Sequence, residues 1–235
     1  MGDLLIITPT RQRPGNAARL AGAVAATCTA RTDLIFAIDD DDGSYADANL
    51  GAAKVIRGPR ATCGQWTNLI ARACAGEYRA LASLGDDHLP RTHGWDSALL
   101  AAIDAMGGTG IAYGDDIGQG KNLPTAPVIS SGIIAALEYF FLPALGQFFA
   151  DNVWLDLGRE AGCLAYLPDV TVEHLHYTRG AAPHDQVYEE ARGAWMPDQT
   201  AYWAWQRADD GLAADVAKIR ELRSKNIERA IKERA

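Results

Sequence analysis

The chain has 235 residues, 48% of them hydrophobic and 22% charged, and carries a net charge of −8, which suits one α/β domain with a helical tail and a sizeable core. Such acidity disfavours non-specific nucleic-acid binding, which needs clustered cations, but leaves room for an anionic small ligand held by local arginines or a metal. No apolar run approaches the ~20 residues that cross a bilayer; the start lacks a basic region before a short apolar stretch; and Cys28, Cys63, Cys74 and Cys163 are too scattered for a disulfide scaffold or zinc knuckle, so a cytoplasmic setting with no membrane span is expected.

In chain order, Leu4–Thr8 reads as a buried strand stopped by Pro9, and Pro14–Thr27 as an Ala-rich helix with proline near its start. Leu34–Ile38 is a second strand running into four consecutive aspartates, Asp39 to Asp42, and Lys54–Arg57 a short third. A helix over Thr67–Cys74 precedes a fourth strand, Tyr78–Leu84, which ends in Gly85-Asp86-Asp87-His88, with Pro90 closing the segment. Trp95–Met106 is helical, and Thr109–Tyr113 is a strand ending in Asp115-Asp116. Beyond residue 120 the pattern loosens into a loop, helices near 133–142 and 151–160, a strand over 163–167, and the alternating run Val170–His176. On a strand His174 and His176 share a face. Residues 180–190, including His184-Asp185, are polar and loop-like, a candidate lid over a diphosphate, and 212–235 forms an amphipathic helix suited to packing on its own domain or on a second subunit.

Alternating strands and helices imply a largely parallel sheet. Three of its strands end in acidic clusters, all expected at the same edge, where open α/β sheets bind their ligands. Adjacent carboxylates in a dry site need water, a cation or a bound metal. A divalent ion held there by oxygen and imidazole can in turn hold a diphosphate, and imidazole suits Mn²⁺ better than Mg²⁺.

The ordered set Ile6-Ile7-Thr8-Pro9-Thr10-Arg11, the aspartate cluster, Gly85-Asp86-Asp87-His88, Asp151 followed by Gly162, and His174-x-His176 resembles GT-A glycosyltransferases, closest to the family 2 type with small bacterial and phage members, over about residues 4–180. The resemblance implies a GT-A (Rossmann-like), mostly parallel sheet flanked by helices with a C-terminal helical tail. It implies a glycosyltransferase domain over 1–195, with a nucleotide-binding half to about residue 118, an acceptor and metal half to 195, and the tail from 196. It implies a nucleotide-diphosphate sugar as donor, with uridine favoured, a hydroxyl acceptor on a protein, a glycan or a modified DNA base, and Mn²⁺ or Mg²⁺ as cofactor. Carried residue by residue, it places the base pocket at Thr8, Pro9 and Arg11. Asp39 accepts the base N3–H, with Asp40 and Asp41 as competing registers, and Asn68 faces the nucleotide. Arg13 reaches phosphate and Asp151 is the catalytic base of an inverting reaction.

The metal motif admits two registers. Read as x-Asp-Asp, Asp86 faces the ribose and Asp87 binds metal; read as Asp-x-His, Asp86 and His88 flank the site. Asp87 with His174 is favoured, and His88 and His176 are the further candidates. Asp115-Asp116 binds the donor sugar or caps a loop, and Trp154, Trp195, Trp203 and Trp205 are assigned to packing. Sugar-nucleotide pyrophosphorylases have a related fold, but their Gly-rich phosphate loop has no counterpart here, since no glycine occurs between Thr8 and Pro14. A non-catalytic binding module and a metal hydrolase are the other readings to be separated by experiment.

Overall fold

The computed structural model describes residues 1–177, 180–181 and 185–234. Its elements are β1 (Gly2–Pro9), α1 (Pro14–Thr27), β2 (Thr32–Asp39), β3 (Lys54–Gly58), α2 (Cys63–Cys74), β4 (Tyr78–Ser83), β5 (His88–Pro90), α3 (Trp95–Ala105), β6 (Ile111–Asp115), β7 (Val128–Ser130), α4 (Ser131–Leu137), α5 (Ala150–Glu160), β8 (Leu164–His174), α6 (Gln186–Ala191), α7 (Trp195–Arg207) and α8 (Leu212–Arg234). The strands form one sheet in the order β3-β2-β1-β4-β7-β6-β8-β5.

β1 lies inside this sheet, so it has no wet face and reads as an unbroken apolar run. Its pleat sends Leu5 and Ile7 into one core with α2, α4 and α5, and Leu4 and Ile6 into a second core with α1 and α3. Pro14 opens α1 where its missing N–H costs nothing. α2 opens on a capping box in which the Thr62 side chain accepts from Gln65 N–H while the Gln65 side chain accepts from Thr62 N–H.

β1, β2, β3 and β4 run parallel, and β6 runs parallel to β8. β7 is antiparallel to both β4 and β6, and β5 is antiparallel to β8. The sheet is therefore mixed. Two antiparallel steps across β7 restore the original direction, so β2, β4 and β6 all end at one edge and their acidic termini converge, as the strand pattern implies.

Four local expectations are corrected. Residues 164–174 form one strand rather than two. His88–Pro90 pairs as an edge strand, which Pro90 permits at its end. The helix expected to reach 142 stops at Leu137, where Glu138 adopts φ +64. Residues 186–191, expected to be loop, are helical, and His184 of the expected lid lies outside the described residues. α8 does not stand apart: Val216 and Ile219 are buried in the same core as Leu137, Trp154 and Trp205. Among the described residues no helix is long and apolar enough to cross a membrane.

Candidate active site

The convergent strand ends open into a cleft of about 1440 Å³. At one end, Asp39 closes β2 and is 4% exposed. One carboxylate oxygen accepts from the Trp66 indole at 2.8 Å and Ala61 N–H at 3.2 Å, the other from Arg11 at 3.1 Å. Of the four aspartates only Asp39 lines the cleft. Asp41 clamps Arg11 from outside at 2.6 and 3.1 Å, and Asp42 accepts from Gln12 and Ser44 N–H to stabilise a turn. Pro9, Arg11 and Arg13 line the cleft as expected. Thr8 does not: the pleat turns it inward with Leu4 and Ile6, fully buried. Its place is taken by Thr10, which belongs to the Ile6–Arg11 motif but has no role assigned from sequence. Thr10 hydroxyl donates to Asp86 at 2.6 Å and sits 2.6 Å from the Tyr45 hydroxyl.

Asp86 and Asp87 part company. Asp86 is turned towards the β1 end, where it meets Thr10 and, at 3.3 Å, Arg13. Burial pushes its carboxyl up, and Arg13 and Thr10 offset only part of that rise. Arg13 is the charge centre of this region. Its Nε and a terminal nitrogen donate to both oxygens of Asp185, at 2.7 and 2.6 Å, and its guanidinium lies 4.2 Å from the Tyr188 ring centroid.

Asp87 faces the opposite way. One oxygen accepts from the Tyr188 hydroxyl at 2.8 Å and lies 3.5 Å from His174 Nε2; the other is 3.6 Å from His88 Nδ1. Burial alone would raise the Asp87 carboxyl, but His174 and His88 outweigh it and hold the group far below the usual carboxylate range. Strand pairing builds this cluster: His88 of β5 is directly opposite His174 of β8, and their rings stack with centroids 4.1 Å apart. The His176 ring lies 5.1 Å from that of His174 and also lines the cleft.

The donor set fits a divalent cation. Asp87, His88 and His174 offer ligand atoms within 4.8 Å of one another, and a carboxylate with imidazoles suits Mn²⁺ or a similar metal. Among the described residues, buried His88 Nε2 has no hydrogen-bond partner. His88 Nδ1 accepts from Gly85 N–H at 3.0 Å, however, so a metal at Nε2 requires that bond to break, leaving Asp87 and His174 as the unobstructed pair. A Cβ on Gly85 would lie 2.5 Å from the Asp87 carboxylate and 3.0 Å from His88 Nδ1. A side chain at this position would crowd both of these groups. Gly85→Ala should therefore displace both side chains and weaken Mn²⁺ binding, by about 10-fold or more on the scale of lost metal-site support; isothermal titration with MnCl₂ checks this.

Asp151 enters the cleft from the first turn of α5. Its carboxylate accepts from Asn152 N–H at 2.9 Å, and burial pushes its pKa up. The chain reaches it through Phe149, a non-glycine residue at φ +67, a conformation that stores strain and is retained where surrounding structure over-determines it. Beside Asp151, Phe148 and Phe149 pack against Trp195 at centroid separations of 5.0 and 4.9 Å.

Some expected residues stand elsewhere. Asn68 does not face the cleft: its amide accepts from Phe140 and Phe141 N–H and donates to Phe141 C=O, pinning the segment after α4. Asp116 does line the cleft, but its carboxylate caps a loop, accepting from Gly118, Gln119 and Gly120 N–H and from Thr125. Trp154 is core, and Trp205 packs on the tail through Asp215. Trp195, assigned to packing from sequence, is instead half exposed in the cleft.

No family model matches the sequence, and no curated protein matches it. Solved structures do. The chain is similar to S. aureus TarS (TM-score 0.60, 12% identity, covering 94% of this chain and 42% of that one). It is also similar to a mannosyltransferase of Pyrobaculum calidifontis solved with GDP-Man and Mn²⁺ (TM-score 0.63, 11% identity, 99% and 77%). A third is glucosyl-3-phosphoglycerate synthase of Mycobacterium tuberculosis, with Mn²⁺ and UDP (TM-score 0.59, 10% identity, 83% and 78%). This chain thus spans less than half of the full TarS structure. With its eight-stranded sheet, the order of its strands and the acidic edge at their ends, the chain has the GT-A fold of nucleotide-diphospho-sugar transferases.

Proposed function

We propose that the protein transfers a sugar from a nucleotide-diphosphate donor, UDP-linked in preference, to a hydroxyl acceptor, with inversion and with dependence on a divalent metal. The observation that carries this reading is the convergence in one cleft of two differently equipped carboxylates, Asp86 with Arg13 and Asp87 with His174, facing a third, Asp151. Neighbours of the same fold were solved with Mn²⁺ and GDP-Man or UDP, which supports a metal and a donor of this class.

Asp39, Arg11 and the Trp66 edge form the base end, Asp39 being the acceptor for a base N–H once Arg11 or Trp66 yields an oxygen. Asp86 takes ribose hydroxyls. Arg13, which remains cationic, exchanges the Asp185 carboxylate for a phosphate, an anion of similar fork geometry. Asp87 and His174 would hold the metal, joined by His88 once its bond from Gly85 N–H is released, and the metal when bound would neutralise charge on the departing diphosphate. Asp151 removes the proton of the attacking hydroxyl; its raised pKa strengthens it as a base near neutral pH. The oxygen–anomeric carbon bond forms as the bond to diphosphate breaks, and the proton ends on Asp151.

The test is a thermal-shift panel of nucleoside diphosphates and nucleotide sugars, with and without Mn²⁺. One nucleotide class should stabilise the protein in a metal-dependent way, by about 2.7 kcal/mol at a hundredfold excess over its dissociation constant. No shift with any of them would refute the donor assignment. Donor cleavage that is indifferent to added acceptors would favour a metal hydrolase.

A further inference from the structure

Beyond donor binding and proton removal, Trp195, Phe148 and Phe149 form a feature that the proposed chemistry does not use. Trp195 is 47% exposed at the start of α7, although it is one of the largest apolar side chains in the protein. It is not a loose surface residue. Its ring meets Phe148 edge-on and Phe149 at a tilt, and Phe149 stacks on Tyr202 at 5.4 Å.

The backbone beneath is fixed from the same helix. Asp198, one turn after Trp195 and 4% exposed, accepts three consecutive N–H groups: Gly146 at 3.0 Å, Gln147 at 2.8 Å and Phe148 at 2.8 Å. One buried carboxylate thus ties the loop before α5 to the helix that carries Trp195. The strained φ of Phe149 completes the bend into the turn that bears Asp151. A rigid aromatic surface is therefore set two residues from the proposed base.

Charge narrows what this surface can receive. The arginines that line the cleft are each engaged with acids: Arg11 with Asp39 and Asp41, Arg13 with Asp86 and Asp185, Arg60 with Glu190, Arg192 with Glu189. Among the described residues the cleft has no lysine, and the aromatic end adds Asp151, Gln147 and Asn152. With Arg13 given to the donor phosphate, an anionic acceptor would meet Asp151 and would have to displace Glu190 from Arg60 or Glu189 from Arg192, both on the exposed rim, to find a cation. A neutral molecule with one apolar face and a rim of hydroxyls meets both an aromatic surface and amide or carboxylate acceptors, the mix of apolar wall and few polar groups that fixes a small ligand.

We infer that Trp195, backed by Phe148 and Phe149, is the acceptor subsite, and that the acceptor it seats is an uncharged pyranoside whose hydroxyl is offered to Asp151. This rests on the transferase reading, but its test does not use turnover. Methyl α- and β-pyranosides of glucose, galactose, mannose and N-acetylglucosamine are titrated against the whole chain, followed by saturation-transfer NMR on the sugar ring protons. A phosphoglycerate and a short thymidine oligonucleotide serve as anionic probes.

At least one neutral pyranoside should bind, with affinity falling about 10-fold or more in Trp195→Ala, the scale of a buried tryptophan anchor, and less in Trp195→Phe. The nucleotide thermal shift should be the same in both variants, which also reports that each is folded. The inference is overturned if no neutral pyranoside binds, if binding is equal in wild type and Trp195→Ala, or if only the anionic probes bind. Should the nucleotide panel fail while a pyranoside still binds through Trp195, the donor reading falls and the subsite stands.

Discussion

Asp87→Asn should remove the metal-dependent part of donor binding and leave the rest of the nucleotide contact in place. Among the described residues Asp87 is the one carboxylate of the cluster, and it faces both imidazoles. Asparagine keeps its size but removes the negative charge, so His88 and His174 are left with no anion to share a cation. Loss of even an outer-shell partner costs about 10–100-fold in metal affinity, and loss of the charged ligand should exceed this. The Mn²⁺-dependent increment in melting temperature with nucleotide should vanish, while any shift without metal, which depends on Asp39, Asp86 and Arg13, persists. The variant should also lose an acid sensitivity. A carboxyl held below its unfolded value contributes stability above that value and loses it as pH falls through the folded one; asparagine does not titrate. An unchanged Mn²⁺ increment in Asp87→Asn would place the metal elsewhere.

Asp151→Asn should abolish turnover without touching the donor. General-base catalysis is worth about 10²–10⁴ in rate, and the variant should fall by that amount in kcat, with the metal-dependent nucleotide shift intact. The pH profile gives the second signature. The base works ionised, so wild-type rate is lost as pH falls through its pKa. Burial moves that pKa upward, so the acid limb should lie above the ordinary carboxylate value of about 3.9 and be absent from the residual rate of the variant. Stability should move the other way. A carboxyl whose pKa is raised by folding disfavours the native state at neutral pH, so Asp151→Asn should melt no earlier than wild type. A kcat that survives the substitution would remove Asp151 from the chemistry.

The regular elements of the first half were legible because each is bounded locally. β1 is an apolar run between polar ends, and α1 begins at a proline. The site was legible to the extent that strand ends declare themselves: Asp39, Asp86, Asp87 and Arg13 all meet in the cleft, as do Asp151, His174 and His176. The failures are tertiary. β1 runs on to Pro9 and the chain then turns into the cleft at Thr10, so Thr10 rather than Thr8 meets Asp86. Asn68 satisfies the backbone of a segment more than seventy residues away, a partner no local pattern names. β5 is three residues long and becomes a strand only because β8 arrives beside it. Trp195 was assigned to the tail because tryptophans usually fill cores; the loop at Phe148 and Phe149 instead gives it a wall on one side only.

The pairing of β5 with β8 links the chemistry to the architecture. Pleated strands alternate, so a slip of one residue would bring Glu173 opposite His88 and send His174 to the far face. Glu173 is held on that outer side by Arg91, at 2.5 and 2.7 Å, and thereby marks the register from behind. A cation shared by Asp87 and His174 would act as a rivet joining the sheet's outermost strand to its neighbour, across a long loop of chain whose closure is otherwise opposed by entropy. Occupancy of the site and integrity of that border would then rise and fall together.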